Sequence, residues 1–212
     1  MLSSRMPGQS FQGALPAMGA AEQSIIGKLK DHVETLASKI VDRNVFNHDK
    51  MLVAVSYLEK ELASAGLPSK RHTFSSQGLP CHNLESVIKG SVNPEQILII
   101  GAHYDSLNGC PGANDNASGV AATLVLAQML AGRKLGKTVR FVLFANEEAP
   151  FHRTLEMGSW LYAKGCKGRN EKIIGMINLE TIGYYCGEEG SQQYPFPPVS
   201  YTHLTLPTKR IV

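Results

Sequence analysis

The sequence of 212 residues is long enough for one α/β domain, and 43% hydrophobic with 18% charged residues is an ordinary globular composition. A net charge of +3 is too small to predict nucleic-acid binding, and no apolar run is long enough to span a membrane. The four cysteines form no CxxC pair, which argues against a thiolate zinc site or a disulfide framework. Since this reading frame shows no signal peptide, we expect a cytoplasmic protein, or a secreted or periplasmic one if the start is misplaced.

The first part of the chain is predicted to be a leader followed by helices and a hairpin. Residues 1–23 have the composition of a flexible leader. Apolar residues at helical spacing then predict helices over 24–40 and about 47–65, the second ending at a Gly-then-Pro stop. Short β patterns over 71–74 and 83–89 flank a glycine-containing turn, which predicts a hairpin-like entry into a mixed sheet.

The next stretch combines a buried-strand pattern with polar residues that suit a metal. Four apolar residues, 97–100, predict a strand, and His103 and Asp105 follow where it should end. Asp115 lies in a glycine-rich turn before a helix predicted over 116–131. Histidine and carboxylate side chains suit zinc, and Asp105 is placed to accept the other ring N–H of His103 and fix its tautomer. The alternative is that His103 is a hydrogen-bonded core residue and Asp115 a helix cap.

Two further predicted strands also end on carboxylates. The strand over 138–145 is followed by Glu147 and Glu148, whose side chains point to opposite sides of an extended chain. One of them can bind a metal while the other handles a proton, although an acidic loop tip is the alternative. The strand over 172–179 ends at Glu180. Because consecutive βα units place strand ends at one edge of a parallel sheet, we expect these carboxylates to meet near His103.

The loop after the two glutamates carries His152 and Arg153. This loop should overhang the predicted site. From the sequence, substrate contact and plain surface exposure are equally open for both residues.

Four segments together resemble the co-catalytic dizinc aminopeptidases, the family that also includes glutamate carboxypeptidases and glutaminyl cyclases. The resemblance extends over residues 24–198. It implies an α/β fold, a three-layer α/β/α sandwich around a mixed, mostly parallel central sheet. The matching segments are GAHYDS at 101–106, PGANDNASGV at 111–120, FANEE at 144–148 and NLETIGYY at 178–185.

The resemblance also implies roles for the site residues. His103, Asp115 and Glu180 would hold one Zn²⁺ ion, and Asp115 would bridge to a second Zn²⁺ ion that Glu148 also binds. Glu147 would be the general base that activates a water between the two ions, as expected of an aminopeptidase that releases N-terminal residues from peptides. Many relatives carry Asp at the position of Glu180, which leaves the metal identity less fixed.

The end of the chain departs from the family pattern. Relatives supply a final His ligand from further downstream, so we expect residues 24–198 to be a C-terminally truncated catalytic domain that is itself inactive. The stretch VSYTHLTLPT back-translates to a transposon-end adapter of sequencing libraries. We therefore expect residues 199–212 to be a non-native tail.

Two alternatives to a peptidase remain open at this point. The same scaffold carries glutaminyl cyclases, acyltransferases that typically work with one zinc, and metal stoichiometry would separate these from dizinc peptidases. A non-catalytic interaction domain of the same fold, as in the transferrin receptor ectodomain, has no reason to keep the ligand set that is present here.

Overall fold

A computed structural model describes residues 16–184. The predicted tail and most of the predicted leader lie outside these residues, but the first helix already begins at Ala20, inside the predicted leader. Two short π-helical turns, Thr35–Lys39 and Ala113–Ser118, adjoin the regular helices. In chain order the regular elements are α1 (Ala20–Glu34), α2 (His48–Ser64), β1 (Lys70–Ser76), β2 (Leu79–Ile88), β3 (Asn93–His103), α3 (Gly119–Leu130), β4 (Lys137–Phe144), α4 (Gly158–Gly168) and β5 (Lys172–Asn178).

The described strands form one mixed sheet in the order β1-β2-β4-β3-β5. Strands β1 and β2 form the predicted hairpin, and β2 also pairs antiparallel with β4. Strand β3 pairs parallel with both β4 and β5. Because β2 alone runs against the other strands, the prediction of a mixed, mostly parallel sheet is confirmed. The parallel register places Ala102 beside Leu143 and Gly101 beside Asn178, so β3, β4 and β5 end at one edge.

Alternating side chains of the central strands build two cores. On one face, Phe141 and Leu143 are fully buried in a cluster that also takes in side chains of α2 and α3. On the other face, Val142 and Phe144 pack with Tyr162 of α4. The helices therefore cover both faces of the sheet, which confirms the predicted three-layer α/β/α sandwich.

Strand β5 lies at an edge of the described sheet. Its apolar residues Ile174, Met176 and Ile177 are between 43% and 47% exposed, in contrast to the buried residues of β3 and β4. A parallel strand is normally covered on both faces, so this edge carries an open apolar surface. None of the described helices combines the length and apolar character that a transmembrane span needs.

Candidate metal centre

All six predicted site residues lie at the edge where β3, β4 and β5 end. His103 is the last residue of β3, and Asp105 follows two residues later. The two glutamates predicted as a pair come just after β4, and Glu180 follows the end of β5. Asp115 lies in the π-helical turn that leads into α3. The parallel pairing of these strands therefore brings together side chains that are far apart in sequence.

The carboxylates surround the ring of His103. Its Nε2 atom lies 3.0 Å from Asp115 Oδ1, 3.3 Å from Glu180 Oε1 and 3.8 Å from Glu147 Oε2. Candidate ligand atoms of His103, Asp115 and Glu148 all lie within 4.8 Å of one another. The ring of His103 is only 2% exposed, so the surrounding side chains fix its position.

This cluster carries excess negative charge, because several carboxylates surround one imidazole. Burial alone would lower the pKa of His103, but the neighbouring carboxylates of Asp105, Asp115 and Glu180 outweigh it and raise the pKa to about 12. Burial, together with the nearby Asp115 carboxylate, raises the pKa of Glu148 to about 7. A cation among these carboxylates would relieve their mutual repulsion.

The donor set fits zinc. Zinc in catalytic sites takes imidazole nitrogen and carboxylate oxygen ligands, commonly three from the protein, and keeps a further position open. His103, Asp115 and Glu180 would supply such a set of three, as the resemblance implies. In the structure Glu148 lies in one group with His103 and Asp115, where the resemblance has it hold a second ion together with Asp115. The structure thus gathers the residues that we predicted as ligands, and their roles as ligands stay predictions.

Asp105 makes different contacts from those predicted. Its Oδ1 atom lies 3.4 Å from His103 Nδ1, longer than a normal hydrogen bond, and that nitrogen has no hydrogen-bond partner among residues 16–184. Instead, Oδ1 accepts the backbone N–H of Glu147 at 3.1 Å and Oδ2 accepts that of Glu148 at 3.0 Å. Asp105 therefore holds the backbone of the glutamate pair as well as standing beside the imidazole.

Asn116 is a site residue that the sequence did not reveal. Its side-chain amide donates to Glu180 Oε2 at 3.1 Å and to the backbone carbonyl of Leu179 at 2.9 Å. Its side-chain oxygen accepts the N–H groups of Gly119 and Thr181. An asparagine in a glycine-rich turn gives no signal of this role, because the partner segment lies more than sixty positions away.

The two residues left open on the overhanging loop differ in the structure. His152 Nδ1 lies 2.6 Å from Glu147 Oε1, within hydrogen-bond distance, although the His152 side chain is half exposed. Burial raises the pKa of Glu147, and the neighbouring His103 and His152 oppose this shift. Arg153 is exposed. His152 therefore contacts the candidate site directly, and Arg153 is a surface residue in this structure.

Comparison with known sequences identifies a peptidase family and several longer relatives. The sequence profile described as peptidase family M28 matches residues 83–196. The uncharacterized protein YfbL of Escherichia coli K12 is 36% identical over 184 residues, covering 83% of this chain and 55% of that protein. Leupeptin-inactivating enzyme 1 of Streptomyces exfoliatus is 29% identical over 189 residues, covering 82% of this chain and 42% of that protein. The chain thus spans about half the length of these relatives.

Solved structures agree on the fold, and at their low identity they support the fold alone. The zinc aminopeptidase BSAP from Bacillus subtilis superposes with a TM-score of 0.63 at 14% identity, covering 74% of this chain and 69% of that one. Fimbriiglobus ruber glutaminyl cyclase superposes with a TM-score of 0.61 at 21% identity, covering 83% and 65% respectively. The family profile covers more than half of the 212 residues and includes every candidate site residue. From this match, and from the carboxylate cluster around His103, we conclude that the chain belongs to peptidase family M28.

Proposed function

We propose that this protein is a zinc-dependent exopeptidase, and more specifically an aminopeptidase. The observation that carries the proposal is that the two adjacent glutamates occupy different positions relative to His103. Glu148 groups with His103 and Asp115 as a metal donor, whereas Glu147 stands beside them with a carboxylate oxygen 3.8 Å from His103 Nε2. A hydrolase of this class needs a carboxylate that is close to the metal donors and still free to move a proton.

In the proposed reaction, Glu147 acts as the general base. Zinc held by His103, Asp115, Glu148 and Glu180 would polarise the scissile carbonyl and acidify the attacking water. The Glu147 carboxylate takes the proton of that water and delivers it to the leaving amine. Asp105 keeps the backbone of Glu147 in place through its accepted N–H bond.

A glutaminyl cyclase is the second candidate. One observation favours it: among the described residues, only the group around His103 offers three donors to one ion, and a single-zinc site suits a cyclase. For the same reason we expect this chain to hold one zinc more tightly than a second and to have little or no peptidase activity. The motif segments that include Glu147 and Glu148 resemble the dizinc peptidases, and this resemblance supports the aminopeptidase over the cyclase.

Product analysis tests the proposal. Peptides with a free N-terminus, the same peptides with an acetylated N-terminus, and a peptide beginning with glutamine are incubated with the longest form of the protein that expresses in soluble form. We expect zinc-dependent release of the first amino acid from the free peptides alone. Loss of ammonia from the glutamine peptide without hydrolysis would favour the cyclase. Absence of any zinc-dependent product would reject both candidates.

A matched pair of variants tests the assigned base. In a full-length form of the protein, Glu147→Gln should keep its zinc and lower turnover by about a hundredfold or more. Glu156→Gln is the control, because Glu156 lies on the same loop but is bound to Ser76 on β1. The control should leave turnover unchanged. If Glu147→Gln loses zinc in step with activity, Glu147 is a ligand and the roles of the two glutamates must be exchanged.

A further inference from the structure

Arg43 is a buried cation without an ion-pair partner among the described residues. It is fully buried, and it lies in the irregular segment between the Thr35–Lys39 turn and α2. Its guanidinium donates four hydrogen bonds, all to backbone carbonyl oxygens. Burying a charge is costly unless its surroundings compensate it, so this arrangement requires a structural or functional reason. The acceptors are Tyr104 at 2.7 Å, Leu36 at 3.0 Å, Pro111 at 2.7 Å and Gly112 at 2.7 Å.

Three of the four acceptors belong to one loop. Tyr104 lies at the start of the loop, directly after His103, and Pro111 and Gly112 lie at its end, shortly before Asp115. The planar guanidinium therefore ties together the two ends of the segment that connects two predicted zinc ligands. A flexible lysine ammonium lacks this fork of donors.

Neighbouring contacts reinforce this clasp, the set of hydrogen bonds by which Arg43 joins the two ends of the 104–112 loop. The carbonyl of Arg43 accepts the N–H of Ser106 at 3.1 Å, and Asp42 Oδ1 accepts the N–H of Gly109 at 2.7 Å. Gly112 has a φ of +61°, and a Cβ built there would lie 2.7 Å from the Asp115 carbonyl oxygen and from Ser106 Cβ, and 2.9 Å from Arg43 Nη2. The glycine thus leaves room for the guanidinium together with the two ends of the loop that it joins.

The charge of Arg43 is balanced at a distance by the carboxylates of the metal centre. Burial lowers the pKa of Arg43 to about 10, and Asp105, Glu148 and Asp115 oppose that shift. In the described residues none of these carboxylates touches the guanidinium. The guanidinium and the carboxylate cluster therefore stabilise each other through the loop that separates them.

We propose that Arg43 is a positioning residue for the metal centre, holding the two ends of the 104–112 loop so that Asp115 faces His103. This inference rests on the proposed zinc site. The side chain of Arg43 contacts backbone carbonyls and none of the candidate metal donors, so it acts through the loop. Zinc affinity should then depend on Arg43 beyond any general loss of stability.

The first experiment uses Arg43→Lys, which keeps the charge, and Arg43→Met, which removes it. Arg71→Lys is the control, because Arg71 makes a two-pronged contact with Glu59 on the surface. For each variant of the whole chain, zinc affinity is measured by chelator competition, and urea unfolding is followed with and without zinc. We expect both Arg43 variants to bind zinc about tenfold more weakly or worse and the control to be unchanged.

A merely structural role would give a different pattern. It would lower the unfolding midpoint without zinc and leave the zinc-induced increase of that midpoint intact. Folded Arg43 variants that bind zinc within about twofold of the parent would overturn the inference. A parent chain that binds no zinc would reject the proposed zinc site together with this inference, whereas a zinc-binding parent with unaffected variants would reject the inference alone.

A second pair of variants decides the question if the Arg43 variants do not fold. Gly112→Ala places a Cβ 2.7 Å from the Asp115 carbonyl oxygen and the Ser106 Cβ and 2.9 Å from Arg43 Nη2, so it perturbs this whole end of the loop. Gly109→Ala adds the same left-handed strain, at φ +76°, with no atom nearby. We expect Gly112→Ala to weaken zinc binding about tenfold or more and Gly109→Ala to have much less effect. Equal zinc affinities in the two glycine variants would overturn the inference.

Discussion

Replacement of Asp105 probes two parts of the site with one change. Its carboxylate is buried, accepts the backbone N–H groups of both glutamates after β4, and lies beside the ring of His103. Asp105→Ala removes both acceptors and leaves the two backbone N–H groups without a partner. Asp105→Asn keeps one side-chain oxygen and can preserve one of the two bonds.

The expected size of the effect follows from these contacts. Hydrogen bonds to a charged acceptor each contribute about 1.5–3 kcal/mol, so the two bonds together contribute about 3–6 kcal/mol. The net loss of stability on removing Asp105 is smaller than this sum, because Asp105 also repels the carboxylates of Glu147 and Glu148. We expect the free energy of unfolding to fall by about 3 kcal/mol in Asp105→Ala and by about half as much in Asp105→Asn. Zinc affinity should fall by about ten- to a hundredfold in Asp105→Ala.

Two measurements check this prediction. Urea unfolding with excess chelator gives the stability of the metal-free chain, and chelator competition gives the zinc affinity. Glu59→Gln is the control, because Glu59 forms an exposed ion pair with Arg71 and its loss should change stability by less than about 1 kcal/mol. The reasoning is refuted if Asp105→Ala matches this control in stability and the parent in zinc affinity.

Three further predictions concern the metal, the turn before α3 and the pH dependence of stability. Metal analysis should find one tightly held zinc per chain, which His103→Ala should lose; two equally tight zinc ions would contradict this. Gly119→Ala should lower the free energy of unfolding by about 1–3 kcal/mol, because its Cβ would run into the carbonyl oxygen of Leu179, and an unchanged urea midpoint would show that the turn relaxes freely. Hydrogen bonds from Arg140 lower the pKa of Glu171, and burial opposes this shift. The stability that ionised Glu171 contributes to the fold is therefore present above the ordinary glutamate pKa of about 4.3 and is lost as the pH falls below it. Glu171→Gln should therefore be less stable than the parent at pH 7, and the difference should shrink steadily as the pH falls below about 4.3; a stability difference that does not change with pH would contradict this assignment.

The candidate site could be predicted from sequence because its members follow local patterns. The apolar runs at 97–100 and 138–145 predict buried strands, and a His or carboxylate follows where each should end. Parallel strands joined by helices must end at one edge, so His103, Glu148 and Glu180 could be expected to meet before any contact was known. Zinc as the metal followed from the same donor types.

The contacts that support the site depend on which strands are neighbours. Asp105 accepts the N–H groups of residues more than forty positions away, and it does so because β3 and β4 are adjacent in the order β1-β2-β4-β3-β5. The sequence pattern is compatible with other strand orders, and the prediction for Asp105 named only its near neighbour His103. The contact between Asn116 and Glu180 depends in the same way on β5 lying beside β3.

Arg43 marks the limit of what the sequence by itself determines. It lies in an irregular segment, follows no helical or strand period, and contacts backbone carbonyls, which every residue has. The sequence determined the composition of the site and the edge at which it forms, because these follow from apolar periodicity and from polar residues at strand ends, and its resemblance to a known family added the three layers. Only the tertiary structure decided the strand order, the clasp around the 104–112 loop and the contact of His152 with Glu147, because each depends on segments far apart in the chain packing side by side.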